Sequence, residues 1–133
     1  MLTSFPAFGG HQDNVSMKVM NAIESIGVTG ITLVTELLTC DEVGSRRVSE
    51  SINQGEKFNA IIHLGLAESR KVISLERWAH NESYFRIADN SGRLVNGIVI
   101  DGAPSKYEMT ASKHILDEEF EDEEDVVWSE SAG

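Results

Sequence analysis

Phe58 to Gly92 reads FNAIIHLGLAESRKVISLERWAHNESYFRIADNSG, and its opening sets the fold class. The apolar run Ala60-Ile61-Ile62-His63-Leu64 stops abruptly at Gly65. A run of that length, rich in β-branched residues and ended by glycine, reads as a buried strand delivering a loop. The loop is Gly65 to Lys71, and a second extended segment, Val72 to Trp78, follows it. Then come Tyr84-Phe85-Arg86-Ile87 and the turn Asp89-Asn90-Ser91-Gly92. Glu76, Arg77 and Arg86 lie within or beside segments that otherwise want burial, and buried charges are costly unless paired. Two readings stand: a structural Glu–Arg pair, or a catalytic carboxylate.

Working outward, 133 residues suit one domain spanning 1–133 with one core. Hydrophobic content of 41% and charged content of 25% are ordinary for a soluble globular chain. No apolar run approaches the roughly 20 residues that a membrane helix needs. The start, Met1-Leu2-Thr3-Ser4-Phe5, lacks the basic and apolar regions of a signal peptide. One cysteine excludes an internal disulfide framework and fits a cytoplasmic protein. The net charge is −11, but Asp117 to Asp125, DEEFEDEED, holds eight of the acidic residues. The remainder is nearly balanced, so nucleic acid is excluded as a partner, because phosphate binding needs a basic stripe. The acidic run reads as a solvated face.

From the N-terminus, Leu2 to Phe5 is a short strand running into Pro6-Ala7-Phe8-Gly9-Gly10. Asn14 caps a helix whose stripe is Val15, Val19, Ala22, Ile23 and Ile26, closed by Gly27. Strand, glycine loop and helix in that order can bind phosphate. The G-x-G-x-x-G pattern and the P-loop lysine are absent, which removes a nucleotide cofactor. Ile31 to Leu38 reads as a strand, and Asp41 caps a helix to about Asn53 with the thin stripe Val43, Val48, Ile52. Cys40 sits at that junction with no histidine in a recognisable arrangement and is read as structural. Gly97-Ile98-Val99-Ile100 is a short apolar patch. Pro104 or Ser105 then opens a helix through about Glu121, with Tyr107, Ala111, His114 and Ile115 on one face. Val126 to Glu130 is the last strand, before Ser131-Ala132-Gly133. Alternating β and α elements predict an α/β sandwich with a mainly parallel sheet.

Three spaced segments carry a family resemblance: Leu64-Gly65-Leu66-Ala67, Ile73-Ser74-Leu75-Glu76-Arg77, and Arg86-Ile87-Ala88-Asp89-Asn90-Ser91-Gly92. The chain resembles the pyroglutamyl peptidase I (pyrrolidone-carboxylate peptidase) family, cysteine peptidases that remove an N-terminal pyroglutamate. The distance from Glu76 to Arg86-Ile87 matches the family pattern without a gap. The resemblance implies a three-layer α/β/α sandwich with a mainly parallel twisted sheet, of which the C-terminal part is missing here.

It also implies the site. Phe5 and Phe8 fall at two aromatic positions of the pyroglutamate pocket, with Gly9, Gly10 and Asn14 beside them. Leu66 and Ile87 complete the concavity, and Arg86 stands near the developing oxyanion. A pyroglutamyl ring is small, flat and uncharged, so an aromatic slot with a few amide hydrogen bonds suits it. This chain departs from the usual loop at Ser4, Pro6 and Ala7. Glu76 takes the place of the carboxylate that orients the catalytic histidine. In the family, Ser-Ala-Gly is followed by the nucleophilic cysteine and later by that histidine, and His11, His63, His80 and His114 do not match its motif. Glu76 is therefore expected to turn to Arg77, Arg86 or water, and the chain to be inactive alone. The alternative is a non-catalytic relative that keeps the pocket for binding. The implied partner is a peptide with an N-terminal pyroglutamate, with no metal, no cofactor and no membrane, and self-association into a homo-oligomer is possible through exposed apolar surface.

Overall fold

The computed structural model describes Met1–Ser131. Ala132 and Gly133 of the Ser-Ala-Gly motif lie outside the described residues. The fold is α/β, and it divides into two compact units. The first comprises Met1–Leu66 and Phe85–Leu94, and the second comprises Ala67–Tyr84 and the chain from Val95 onward.

In the first unit β1 (Leu2–Ser4) is the central strand. Leu2, Thr3 and Ser4 are all buried, and both polar side chains find partners, as burial demands. Thr3 Oγ1 lies 2.6 Å from His63 Nδ1, and the Ser4 hydroxyl donates to Met20 Sδ at 3.3 Å. Helix α1 (Val15–Ile26) starts at the Asn14 cap and ends at Gly27, whose φ of 74° suits glycine. Its inward face differs from the expected stripe. Ser16 and Met20 are buried, whereas Val15, Val19 and Ile26 are exposed. Ser16 and Met20 meet Phe5 N–H and the Ser4 hydroxyl, contacts that apolar periodicity alone could not reveal.

Strand β2 (Thr35–Leu37) and helix α2 (Glu42–Asn53) follow. The expected eight-residue strand is three residues long, because a ladder extends only as far as its partner β1. Asp41 caps α2 by accepting from Gly44 N–H at 2.9 Å. Gly44 is buried, and a Cβ there would lie 1.9 Å from Thr39 O. The glycine, not Val43, is the contact point of this helix; Val43 is exposed. Strand β3 (Ile62–His63) closes the sheet in the order β2-β1-β3, all parallel.

In the second unit β4 (Ile73–Glu76) pairs in parallel with the last strand of the chain, opposing Glu76 to Ser129. Strands β5 (Trp78–His80) and β6 (Glu82–Tyr84) follow, then β7 (Asn96–Ile98), antiparallel to β6, and β8 (Lys106–Glu108), antiparallel to β5. Asn81, buried between β5 and β6, donates to Ile100 O and accepts from Ile100 N–H, both at 2.8 Å. Helix α3 (Lys113–Glu119) and β9 (Val126–Ser129) complete the unit.

The expected helix from Pro104 or Ser105 to Glu121 is thus corrected to a strand and a seven-residue helix. Tyr107 opposes Ala79, and Met109 N–H donates to Arg77 O at 2.9 Å. A ladder to residues about thirty positions away overrides local helix propensity. Among the described residues, no helix is long and apolar enough to cross a membrane.

Candidate active site

The first unit holds the aromatic–glycine loop. Phe5-Pro6-Ala7-Phe8-Gly9-Gly10 leaves β1 at the C-terminal end of the strand. Asn14 is buried and clasps this loop. Its Oδ1 accepts from Ser16 N–H at 3.0 Å and from Ser16 Oγ at 2.8 Å, while Nδ2 donates to Pro6 O at 3.2 Å. Phe5 N–H donates to Ser16 Oγ at 3.3 Å. One side chain therefore caps the helix and fixes the loop before it.

Gly9 and Gly10 have φ of 65° and 89°, left-handed values that glycine adopts without strain. Ile87 Cδ1 lies 3.2 Å from where a Gly9 Cβ would stand. The structure therefore brings together Gly9 and Ile87, which are far apart in sequence. Phe5 and Phe8 are half-buried, while Leu66, Arg86 and Ile87 are exposed.

The turn after Ile87 is braced by Asp89. Its Oδ1 accepts from Ser91 N–H, Ser91 Oγ and Arg93 N–H, each at 2.9 Å, and Oδ2 accepts from Arg93 Nε at 2.9 Å. Burial opposes its charge, but these donors from Arg93 and Ser91 outweigh that and hold the carboxyl below its ordinary pKa. Asn90 N–H donates to Cys40 O at 2.9 Å, and Arg93 Nη1 reaches Glu42 at 2.5 Å. The turn is thereby tied to the start of α2. Burial, and then the charge of Asp41, push the Cys40 thiol up. A raised thiol pKa lowers the share of thiolate, the form that acts as nucleophile.

In the second unit Glu76 ends β4. Its Oε1 pairs with Arg70 Nη1 at 2.5 Å, in place of the expected Arg77, Arg86 or water. Arg77 is engaged elsewhere: it pairs with Glu108 at 2.9 Å, approaches Glu130 at 3.8 Å and stacks on the Trp78 ring at 4.9 Å. Arg70 Nη2 also donates to Ser131 O at 2.5 Å. The second Glu76 oxygen, Oε2, is buried and has no partner among the described residues. An unsatisfied buried acceptor costs roughly 1–3 kcal/mol, so such an atom calls for a reason. Arg70 escaped the sequence reading. A loop arginine flanked by Ser69 and Lys71 carries no periodic signal.

The remaining imidazoles have other tasks. His63 faces Thr3, and partial burial of its ring pushes its pKa below the ordinary value. His80 Nε2 lies 2.7 Å from Glu130 O, and His114 lies 3.4 Å from Glu118. Among the described residues no cluster of His, Cys, Asp and Glu could hold a metal ion.

Comparison with known proteins bears on this arrangement. The sequence profile of the pyroglutamyl peptidases matches residues 1–133. The pyrrolidone-carboxylate peptidase of Coprothermobacter proteolyticus is 30% identical over 113 residues, 83% of this chain and 54% of that protein. That of Pyrococcus furiosus is 30% identical over 111 residues, 83% of this chain and 53% of that protein. The crystal structure of the pyrrolidone carboxyl peptidase from Fervidobacterium islandicum AW-1 superposes with a TM-score of 0.88 at 28% identity, covering 99% of this chain and 64% of that one. This chain spans about half the length of the curated relatives it matches.

Proposed function

The chain belongs to the pyroglutamyl peptidase family, and from that membership we propose that it supplies two parts of a cysteine peptidase that removes N-terminal pyroglutamate from peptides. The first unit contributes the pocket. Phe5, Phe8, Leu66 and Ile87 wall a slot for the flat lactam ring, and the Gly9 and Gly10 N–H groups offer donors to its carbonyl. Asn14 holds this loop in shape, so its role is positioning. Arg86 places a cation for the oxyanion that forms when a thiolate attacks the pyroglutamyl carbonyl carbon.

The second unit contributes Glu76. A thiol nucleophile needs a base, and an imidazole base needs a carboxylate to fix its tautomer and stabilise its charged form. The observation that carries this reading is the Glu76 carboxylate itself. One oxygen is anchored by Arg70, and the other is buried yet left to accept a further N–H. Neither Cys40 nor any histidine of these 133 residues is assigned the nucleophile or base role. A thiol mechanism suits a reducing compartment, and we assign the protein to the cytoplasm on that ground.

The pocket can be tested by nuclear magnetic resonance titration of the 133-residue chain with pyroglutamyl-alanine and, separately, prolyl-alanine. Prolyl-alanine has the same ring size but lacks the lactam carbonyl and carries a charged amine. The expected result is shifts at Phe5, Phe8, Gly9, Gly10 and Ile87 with the pyroglutamyl ligand only. Equal shifts with both ligands, or none at these residues, would sink the pocket assignment.

A further inference from the structure

The Glu76 carboxylate is only as well aimed as the group that holds it. Arg70 lies three residues before β4, at the end of a turn in which its N–H donates to Ala67 O at 2.9 Å. Its guanidinium reaches two acceptors, Glu76 Oε1 and Ser131 O, each at 2.5 Å. The acceptors come from different strands. Glu76 ends β4, and Ser131 lies just past β9; the parallel register that opposes Glu76 to Ser129 brings both to the same end of the pair. Ser129 Oγ also donates to Ser131 O at 2.8 Å, and Ser131 N–H donates to Ser129 Oγ at 3.2 Å. The arginine and glutamate side chains are 26% and 32% exposed, so the pair is shielded more than a surface ion pair.

We propose that Arg70 is a positioning residue: its single planar guanidinium sets the orientation of the Glu76 carboxylate and locks the backbone leaving β9 to it. This rests on the reading of Glu76 as the histidine-orienting carboxylate. With Oε1 committed to Arg70, Oε2 is the oxygen left to receive an imidazole N–H, along a direction the fork fixes. The same fork stops Ser131 from drifting relative to Glu76. Lysine could neutralise the carboxylate, but it is a point charge on a flexible stem and cannot hold two acceptors in one plane. Charge alone is therefore insufficient, and the arginine geometry is what the site uses.

The test has two arms. In the 133-residue chain, isotope-edited spectra follow the Glu76 carboxyl carbon and the Ser131 carbonyl carbon in Arg70→Lys and Arg70→Met, with Arg77→Lys as control. Both signals should move in Arg70→Lys about as far as in Arg70→Met, and neither in Arg77→Lys. If Arg70→Lys leaves both carbons where they were, the fork has no positioning role and the proposal falls. The second arm uses a polypeptide of the relatives' full length that carries these 133 residues. There Arg70→Lys should lower kcat per folded molecule by about 10- to 100-fold with KM nearly unchanged, the scale of a misplacement near 1 Å. Combined with Glu76→Gln it should add no further loss. An activity loss that tracks only the folded fraction would overturn positioning. If Glu76→Gln alone leaves kcat unchanged, the histidine-orienting reading fails, and the spectral arm still decides whether the guanidinium sets the carboxylate.

Discussion

Replacing Gly9 with alanine tests the contact that joins the aromatic–glycine loop to Ile87. Gly9 has φ of 65°, and an L-residue in that region costs roughly 1–2 kcal/mol. The stiffer unfolded chain offsets about 0.4–1 kcal/mol of this. The new Cβ would stand 3.2 Å from Ile87 Cδ1. Carbon atoms prefer about 3.5–4.0 Å, so Ile87 must give by a few tenths of an ångström. Pushing its side chain off its rotamer costs about 0.5–1.5 kcal/mol. The sum is a loss of roughly 0.5–3 kcal/mol, divided between backbone strain and a specific crowding of Ile87. Ile87→Val removes Cδ1 and with it the crowding, leaving the backbone part. Urea unfolding of wild type, both single variants and the double variant reads the coupling. The double variant should be more stable than the sum of the single losses predicts, by about 0.5–1 kcal/mol. Losses that simply add would mean Gly9 and Ile87 are not in contact, and the pocket reading would lose the juxtaposition it rests on.

Gly44→Ala should also destabilise, despite alanine's advantage of about 0.5–1 kcal/mol in a helix. The added Cβ meets the Thr39 backbone, which no rotamer change relieves, and overpacking costs about 1–3 kcal/mol. The melting temperature should fall; a rise would contradict the close packing. Asn14→Ala should cost about 1–2 kcal/mol through loss of the cap, whereas Asn14→Ser should keep most of that stability and still slacken the loop by losing the bond to Pro6. Amide exchange across Phe5–Gly10 should speed up in both variants relative to wild type, and wild-type protection in Asn14→Ser would refute the loop-brace role. Acid should weaken the fold in two stages. Neutral His63 contributes fully above the ordinary histidine value near 6.5 and less as the unfolded chain takes up the proton below it. Ionised Asp89 contributes fully above the ordinary aspartate value near 3.9 and is lost as pH falls through its lowered folded value. His63→Gln should flatten the part of the stability profile that falls below the ordinary histidine value and leave the lower step; an unchanged upper step would rule out a contribution from His63.

Much of this architecture was legible where its cause is local. As helix caps, Asn14, Gly27 and Asp41 act through bonds to residues within four positions, so both long helices begin, and α1 ends, where cap chemistry puts them. What failed was non-local. The inward face of α1 is set by Ser16 and Met20 meeting Phe5 and Ser4, and Tyr107 is strand because Ala79 opposes it. Strand lengths were overread because β1 offers only three residues to pair with. At the candidate site, Glu76 stood out as a charge in an apolar segment, strengthened by the family resemblance. Its partner did not, because Arg70 meets it around a turn while holding a carbonyl 61 residues away. Neither arrangement has a periodic signature.

The most direct test of the Glu76 assignment is the turnover of a pyroglutamyl-amide fluorophore by a polypeptide of the relatives' full length carrying these 133 residues, with Glu76 or glutamine at that position. Glutamine keeps the shape but offers an N–H as readily as an acceptor, so the base loses its correct tautomer. The expected result is a fall in kcat of roughly 10⁴-fold, the scale of the matching carboxylate-to-amide change in a serine protease triad, with KM little altered. A Cys40→Ala protein with Glu76 intact should turn over as wild type does, and thiol alkylation should abolish that turnover. A Glu76→Gln protein that turns over at the wild-type rate would contradict the assignment of Glu76.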